Sequence, residues 1–193
     1  MDLADRRGIE RDVYQPAEDS ALLADVAASV VGPDDLVLDV GTGSGFVAGR
    51  IAEETGARVI GSDLNPHACR RARERGVPVV RGNLTEPFVD GAFDVVTFNP
   101  PYLPTDPETE WDDWMEVALS GGETGLAVVE PFLASVGRVL APDGVVLLLA
   151  SSLAGVEAVV ELAVDGGFSA VALRDDSYPF ETLTVLKLIQ TDA

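Results

Sequence analysis

Apolar positions along the chain change period repeatedly. Over 16–31, "PAEDSALLADVAASVV", Leu22, Leu23, Val26 and Val30 recur at the spacing of one helix face. That predicts a docked amphipathic helix, opened by Pro16 and ended by Gly32-Pro33. Short unbroken apolar runs follow: "LVLDV" at 36–40, "ARVIGSD" at 57–63, "VPVV" at 77–80, "FDVVTF" at 93–98 and "GVVLLLA" at 144–150. Runs this short, stopping at glycines or polar residues, predict strands buried on both faces, as in a parallel sheet. Helical segments are expected between them. One follows the glycines at 41–45, one is capped by Asn65 with Pro66 at its first position and ended by Gly76, one runs from about Leu126 to Leu140, and one lies near Leu153–Val164. "SAVALRDD" and "ETLTVLKLI" predict two final strands, antiparallel, turned around Pro179.

Strands alternating with helices predict an α/β fold with a doubly wound sheet of seven strands, mostly parallel, closed by an antiparallel C-terminal hairpin. Pro78 confines the third strand to a sheet edge, because proline cannot donate to a ladder. Ligands of such sheets sit at the carboxyl ends of the strands, near the point where strand order reverses. The glycines after the first strand and Asn99-Pro100-Pro101-Tyr102 after the fourth both lie at that edge. They become neighbours if those two strands pair. A length of 193 residues suits one domain, 1–193.

Composition adds a charge of −20, from 13 basic and 33 acidic residues, with Lys187 alone beside twelve arginines. One reading is a surface that repels polyanions and attracts basic partners. The other is a halophilic habitat, where molar salt screens charges within about 3 Å. Habitat also explains the missing lysine, and under it the charge says little about partners. One cysteine, Cys69, leaves no internal disulfide, and with His67 the single histidine no metal site is expected. No segment resembles a signal peptide and no apolar run reaches about 18 residues, so a cytoplasmic location is expected.

The candidate chemistry begins with "DVGTGSGF", 39–46, which puts Gly41, Gly43 and Gly45 between a strand and a helix. Glycines there let the backbone approach a ligand closely. The dinucleotide pattern G-x-G-x-x-G fails at Phe46, which disfavours a pyrophosphate. Asp63, at the end of the second strand, is placed to accept both hydroxyls of a ribose, with helix capping as its alternative role. Asp39 faces the same crevice and repels phosphate. Two acids suit an adenosine that carries a cationic amine, which describes S-adenosyl-L-methionine better than NAD.

The Asn-Pro-Pro-Tyr corner arises by chance in about one chain in five thousand of this composition. Asn99 offers a side-chain carbonyl, and Pro100 a main-chain carbonyl aimed by its fixed φ. Two such acceptors hold both hydrogens of a planar –NH2, and Tyr102 gives it a flat face to stack on. Accepting both N–H groups raises electron density on a weakly nucleophilic nitrogen and favours the positive charge that develops there.

With these motifs the chain resembles the HemK-type methyltransferases, which modify the glutamine of the Gly-Gly-Gln motif in peptide-chain release factors. "VYQPAEDSALL" at 13–23, "LDVGTGSG", "SDLNP", "FNPPY", "SGGETG" at 120–125 and "ETLTVLK" at 181–187 carry the likeness, and the first and last point to the short archaeal and eukaryotic branch. The resemblance implies a Rossmann-like class I S-adenosylmethionine-dependent fold. Asn99 and Pro100 would hold the glutamine amide, with Pro101 completing the rigid bend and Tyr102 packing against it. Asp63, with Leu64 beside it, would bind ribose. Asp39, Gly41 and the loop glycines Gly43 and Gly45 would take the methionine end, and Ser20, from an N-terminal segment over 1–33, would close over it. Asn83-Leu84 would flank adenine, although relatives commonly carry aspartate where Asn83 stands. The short branch lacks the N-terminal helical domain of bacterial members and pairs with a small zinc-binding activator protein, expected here on edge strand 77–81.

The loop from Leu103 to Gly125 carries seven acids and no base, with Trp111 and Trp114 embedded. It reads either as a lid or docking surface for a basic substrate loop, or as an ordinary acidic loop anchored by two tryptophans. The leading expectation is glutamine N5-methylation of a class I release factor. The same chemistry on a nucleobase amino group is the first alternative, disfavoured by the missing basic surface and recognition domain. A non-catalytic cofactor-binding scaffold is the second.

Overall fold

Leu36–Val40 forms β1, an inner strand of the sheet, and its alternating side chains feed both halves of the core. In the computed structural model, which describes residues 13–105 and 114–191, β1 pairs in parallel with β2 (Arg58–Asp63) on one side and with β4 (Phe93–Phe98) on the other. The expected neighbourhood of strands one and four is therefore present. Beyond them lie β3 (Val79–Arg81) and β5 (Leu140–Ser151), each parallel to its neighbour. The hairpin of β6 (Phe168–Ser177) and β7 (Thr182–Gln190) completes the order β3-β2-β1-β4-β5-β7-β6, with β7 antiparallel to β5.

Two layers of helix cover the sheet. Helices α1 (Glu18–Val30), α2 (Phe46–Thr55) and α3 (Pro66–Glu74) pack with Val37, Val95, Leu147 and Val185 into one core cluster. The helices α5 (Val129–Val139) and α6 (Val156–Asp165) pack with Leu38, Val96, Leu148 and Leu186 into the other. Neighbouring residues on each strand go to opposite clusters, the period-2 rule of a sheet buried on both faces. Among the described residues no helix is long and apolar enough to cross a membrane.

Local chemistry sets the boundaries. The Asn65 side chain accepts from the His67 N–H at 2.8 Å and caps α3, with Pro66 at the first helical position. The first helix begins at Glu18, with Ala17 as its N-cap and Pro16 outside it, and the two later helices begin three residues beyond Leu126 and Leu153, at Val129 and Val156. Three further details differ from the sequence reading. The third strand is Val79–Arg81 and not 77–80: Pro78 stays outside it, and its carbonyl accepts from Gly61 N–H at 2.8 Å. The strand still lies at a sheet edge. The fifth strand begins at Leu140, four residues early, because Leu140 already pairs with Phe93 before a register shift. A short helix, α4 (Trp114–Leu119), follows the acidic loop. Trp111 and five of the loop's acids lie outside the described residues.

Candidate active site

A cavity of about 430 Å³ opens where β1, β2 and β4 end, at the point where strand order reverses. One wall is the glycine loop between β1 and α2. Gly41 has φ +60°, and a Cβ there would stand 3.3 Å from the Phe98 ring, so a side chain meets both backbone strain and a packed aromatic. Gly41 and Gly43 line the cavity. Gly45 lies outside it, where an added Cβ would meet the Ala72 Cα of α3 at 3.0 Å; its place is helix packing.

The two acids are held differently. Asp63 Oδ2 accepts from Gly43 N–H at 2.9 Å and Oδ1 from Asn65 N–H at 2.8 Å, so it ties the glycine loop to the approach of α3. Capping itself falls to Asn65. Burial pushes the Asp63 carboxyl upward, while those backbone donors pull it down. Asp39 is 2 % exposed and lines the cavity. Its Oδ1 accepts from the Thr97 hydroxyl at 2.8 Å and its Oδ2 from the Thr42 hydroxyl at 2.6 Å. Burial raises its pKa from 3.8 to about 6, against the pull of both hydroxyls.

On the outer rim Leu64 is exposed and Leu84 half-buried, with Asn83 exposed between loop and solvent. Asn83 Nδ2 donates to Glu86 Oε1 at 2.9 Å, which directs its carbonyl end elsewhere. Ser20, from the first turn of α1, is buried against the cavity.

The opposite wall is the corner after β4, where Asn99, Pro100, Pro101 and Tyr102 all line the cavity. Asn99 Nδ2 donates to Asp19 Oδ2 at 3.0 Å, whereas its buried Oδ1 has no hydrogen-bond partner among the described residues. Such an orphan acceptor costs about 1–3 kcal/mol and calls for an external donor. Burial and the nearby carboxylates Asp19, Glu181 and Glu18 hold the Tyr102 phenol well above its ordinary range, so it stays neutral. The chain leaving the corner is clamped by the SGGETG segment. Leu103 bridges in parallel to Ser120, Gly121 N–H donates to Leu103 O at 2.9 Å, and Thr105 N–H donates to Gly122 O at 3.0 Å. Gly125 has φ +76°, and its Cβ would lie 2.6 Å from the Tyr102 carbonyl oxygen.

Sequence reasoning missed Asp19, Tyr14 and Glu181, all on the cavity wall. Asp19 reads in sequence as one more first-turn acid, yet it is 4 % exposed. Tyr14 OH donates to the same Asp19 oxygen at 3.1 Å. Glu181 enters from the turn before β7 and accepts from the Ser151 hydroxyl at 2.7 Å. Trp114 reaches the wall from the start of α4.

Fold and cavity together define a methyltransferase, and a methyltransferase-domain model matches residues 37–122. A Methanocaldococcus jannaschii protein, named as a protein N5-glutamine methyltransferase, is 34 % identical over 181 residues, covering 91 % of this chain and 90 % of its own. Human methyltransferase HEMK2 is 30 % identical, over 96 % of this chain and 93 % of that one. Among solved structures, Mtq2 from the E. cuniculi Mtq2–Trm112 complex, described as responsible for methylation of the termination factor eRF1, superposes with TM-score 0.77 at 27 % identity, over 93 % of this chain and 99 % of that one. The chain belongs to the HemK-type protein N5-glutamine methyltransferases and is S-adenosylmethionine-dependent.

Proposed function

We propose that the protein methylates the side-chain nitrogen of the glutamine in the Gly-Gly-Gln motif of a class I peptide-chain release factor. The observation that carries this reading is the buried, unpartnered Oδ1 of Asn99 on the cavity wall. An acceptor kept dry and unpaired suits a substrate that brings its own N–H donors, as a primary amide does. With Pro100 supplying a second carbonyl, both amide hydrogens are held and the nitrogen lone pair is turned towards the glycine-loop wall. Positioning of this kind contributes several kcal/mol and needs no strong base. Tyr102 covers the planar group, and its neutral phenol leaves the local charge unchanged.

The cavity fits S-adenosyl-L-methionine. Gly41 and Gly43 leave bare backbone on one wall, Asp63 stands at the end of β2 for ribose hydroxyls, and Asp39 supplies a buried negative charge for an amine. Asn83 and Leu84 flank the adenine, and Ser20 closes the methionine end. When bound, the cofactor supplies the electrophilic sulfonium methyl.

A small zinc-binding activator is proposed to cap the β3 edge. Val80 is 38 % exposed there, and five of the twelve arginines lie close by in the chain: Arg70, Arg71 and Arg73 on α3, Arg75 at its C-cap and Arg81 on β3. An apolar edge with a basic border in a chain of charge −20 supports an acidic partner strand. Site of action in the cytoplasm, with the release factor, goes with this reading.

The test incubates the chain with labelled cofactor, with and without the partner, and with either release factor or nucleic acid. Label on the release factor that disappears when its motif glutamine becomes alanine supports the proposal. Label on nucleic acid replaces it, and cofactor binding without transfer leaves a scaffold.

A further inference from the structure

The side chain of Asn99 has two ends of almost the same shape, one a double donor and one an acceptor. Packing therefore does not decide which end meets the cavity; hydrogen-bond partners do. Asn99 Nδ2 points at Asp19 Oδ2, 3.0 Å away and 80 residues earlier in the chain. That oxygen accepts, so the donor end of the amide faces it and Oδ1 is left for the cavity.

Asp19 is itself fixed. Its Oδ1 accepts from the Ser20 backbone N–H and hydroxyl, and its Oδ2 accepts from Tyr14 OH at 3.1 Å as well as from Asn99. A helix-dipole role needs none of this, because a first-turn acid serves the dipole equally well in water, as exposed Glu18 does. Burying a carboxylate to 4 % exposure costs free energy, which hydrogen bonds must offset. Here two of its donors, the Tyr14 phenol and the Asn99 amide, come from outside the helix.

We infer that Asp19 is a positioning residue for methyl transfer: it holds the acceptor end of the Asn99 amide towards the substrate nitrogen. The inference rests on the reading of Asn99 as the residue that grips the substrate amide. With Asp19→Asn the partner offers either a donor or an acceptor, so the Asn99 amide flips and turns its own N–H groups against those of the substrate. Substrate turnover then suffers, while the Ser20 donors keep an acceptor in the new carboxamide oxygen and the glycine-loop wall, which makes no hydrogen bond to Asp19, is untouched.

The experiment measures kcat for methyl transfer to the release factor, and cofactor Kd, for the enzyme with its small partner. Asp19→Asn is expected to lower kcat by about 10- to 100-fold, the effect of losing one hydrogen bond to a charged group, with cofactor Kd within about threefold. Asn99→Asp sets two carboxylates against each other and is expected to lose about 10²–10³ in kcat. Adding Asp19→Asn to Asn99→Asp places a donor opposite an acceptor again, with polarity exchanged and an acceptor still facing the cavity, and is expected to recover about tenfold. Tyr14→Phe, which removes one anchor of the carboxylate, is expected to lower kcat about two- to fivefold and serves if Asp19→Asn does not fold. A kcat within about twofold of wild type in Asp19→Asn, or a double variant below Asn99→Asp alone, overturns the inference.

If wild type methylates no release factor, the functional proposal fails by itself, and proton NMR of the ¹⁵N-labelled chain decides the Asp19 role. The side-chain NH2 signal that Asn99→Asp removes is expected to exchange slowly with water in wild type and rapidly in Asp19→Asn. Equal exchange in both overturns it.

Discussion

Asp39 is a buried acid that works against the fold and for the ligand, and replacing it with asparagine separates the two effects. In the folded chain its carboxyl releases its proton at about pH 6, against 3.8 as its ordinary value. Between those values the folded state holds a proton that the unfolded state has lost, so folding stability falls as pH rises from about 4 to about 6 and is level above. At about 1.4 kcal/mol per unit, the gap of about two units amounts to about 3 kcal/mol of destabilisation at neutral pH. Asp39→Asn removes that charge and keeps an acceptor for only one of the Thr42 and Thr97 hydroxyls. With about 1 kcal/mol lost for the other hydroxyl, the net gain is about 2 kcal/mol, or about 4–8 °C in Tm for a chain of this size. Thermal unfolding followed by circular dichroism, at fixed salt, is expected to show the variant more stable at about pH 7.5 and no better near pH 4.5. Cofactor affinity by calorimetry is expected to fall about 10- to 100-fold, because the amine loses its counter-charge. A variant less stable than wild type at neutral pH, or a Tm difference independent of pH, would refute the reasoning.

Other positions test the two walls separately. Gly125→Ala, with its Cβ 2.6 Å from the Tyr102 carbonyl oxygen, is expected to displace the Asn-Pro-Pro-Tyr corner and cut kcat about 100-fold, while cofactor Kd by calorimetry stays within about threefold. Asn83→Asp is expected to tighten cofactor binding about two- to tenfold, since a charged acceptor holds the adenine amino group better than the amide carbonyl; calorimetry checks it. Phe180 is 91 % exposed on the turn beside Glu181, which lines the cavity, so Phe180→Ala is expected to raise KM for the release factor several-fold in steady-state assays and to leave cofactor Kd unchanged.

Much of this was legible because the deciding signals were local. Five apolar runs and the glycine stops between them gave β1, β2, β4 and β5 and the switch point, and Asn65-Pro66 marked the start of α3 to the residue. The corner was legible because proline geometry is intrinsic to the residue. What escaped notice depends on distance in the fold. That Asp19 meets Asn99 across 80 residues has no sequence signature, and a first-turn acid looks the same buried or exposed. The sequence places Asp39 at the crevice, but nothing local shows that Thr42 and Thr97 engage both its oxygens. An apolar tetrapeptide does not reveal which of its residues carry ladder hydrogen bonds, so the run at 77–80 includes Pro78 and the strand does not.

Two carbonyls matched to two N–H groups, as proposed for the corner, would also decide when the reaction stops. Once the nitrogen carries a methyl, it has a single hydrogen left, and one acceptor in the corner has nothing to accept. The methylated product makes one hydrogen bond fewer than the substrate, so it is held less tightly by about 1 kcal/mol, leaves and re-enters poorly. An enzyme built this way is expected to add one methyl and no second, and an intact-mass spectrum of the modified substrate reads that count directly.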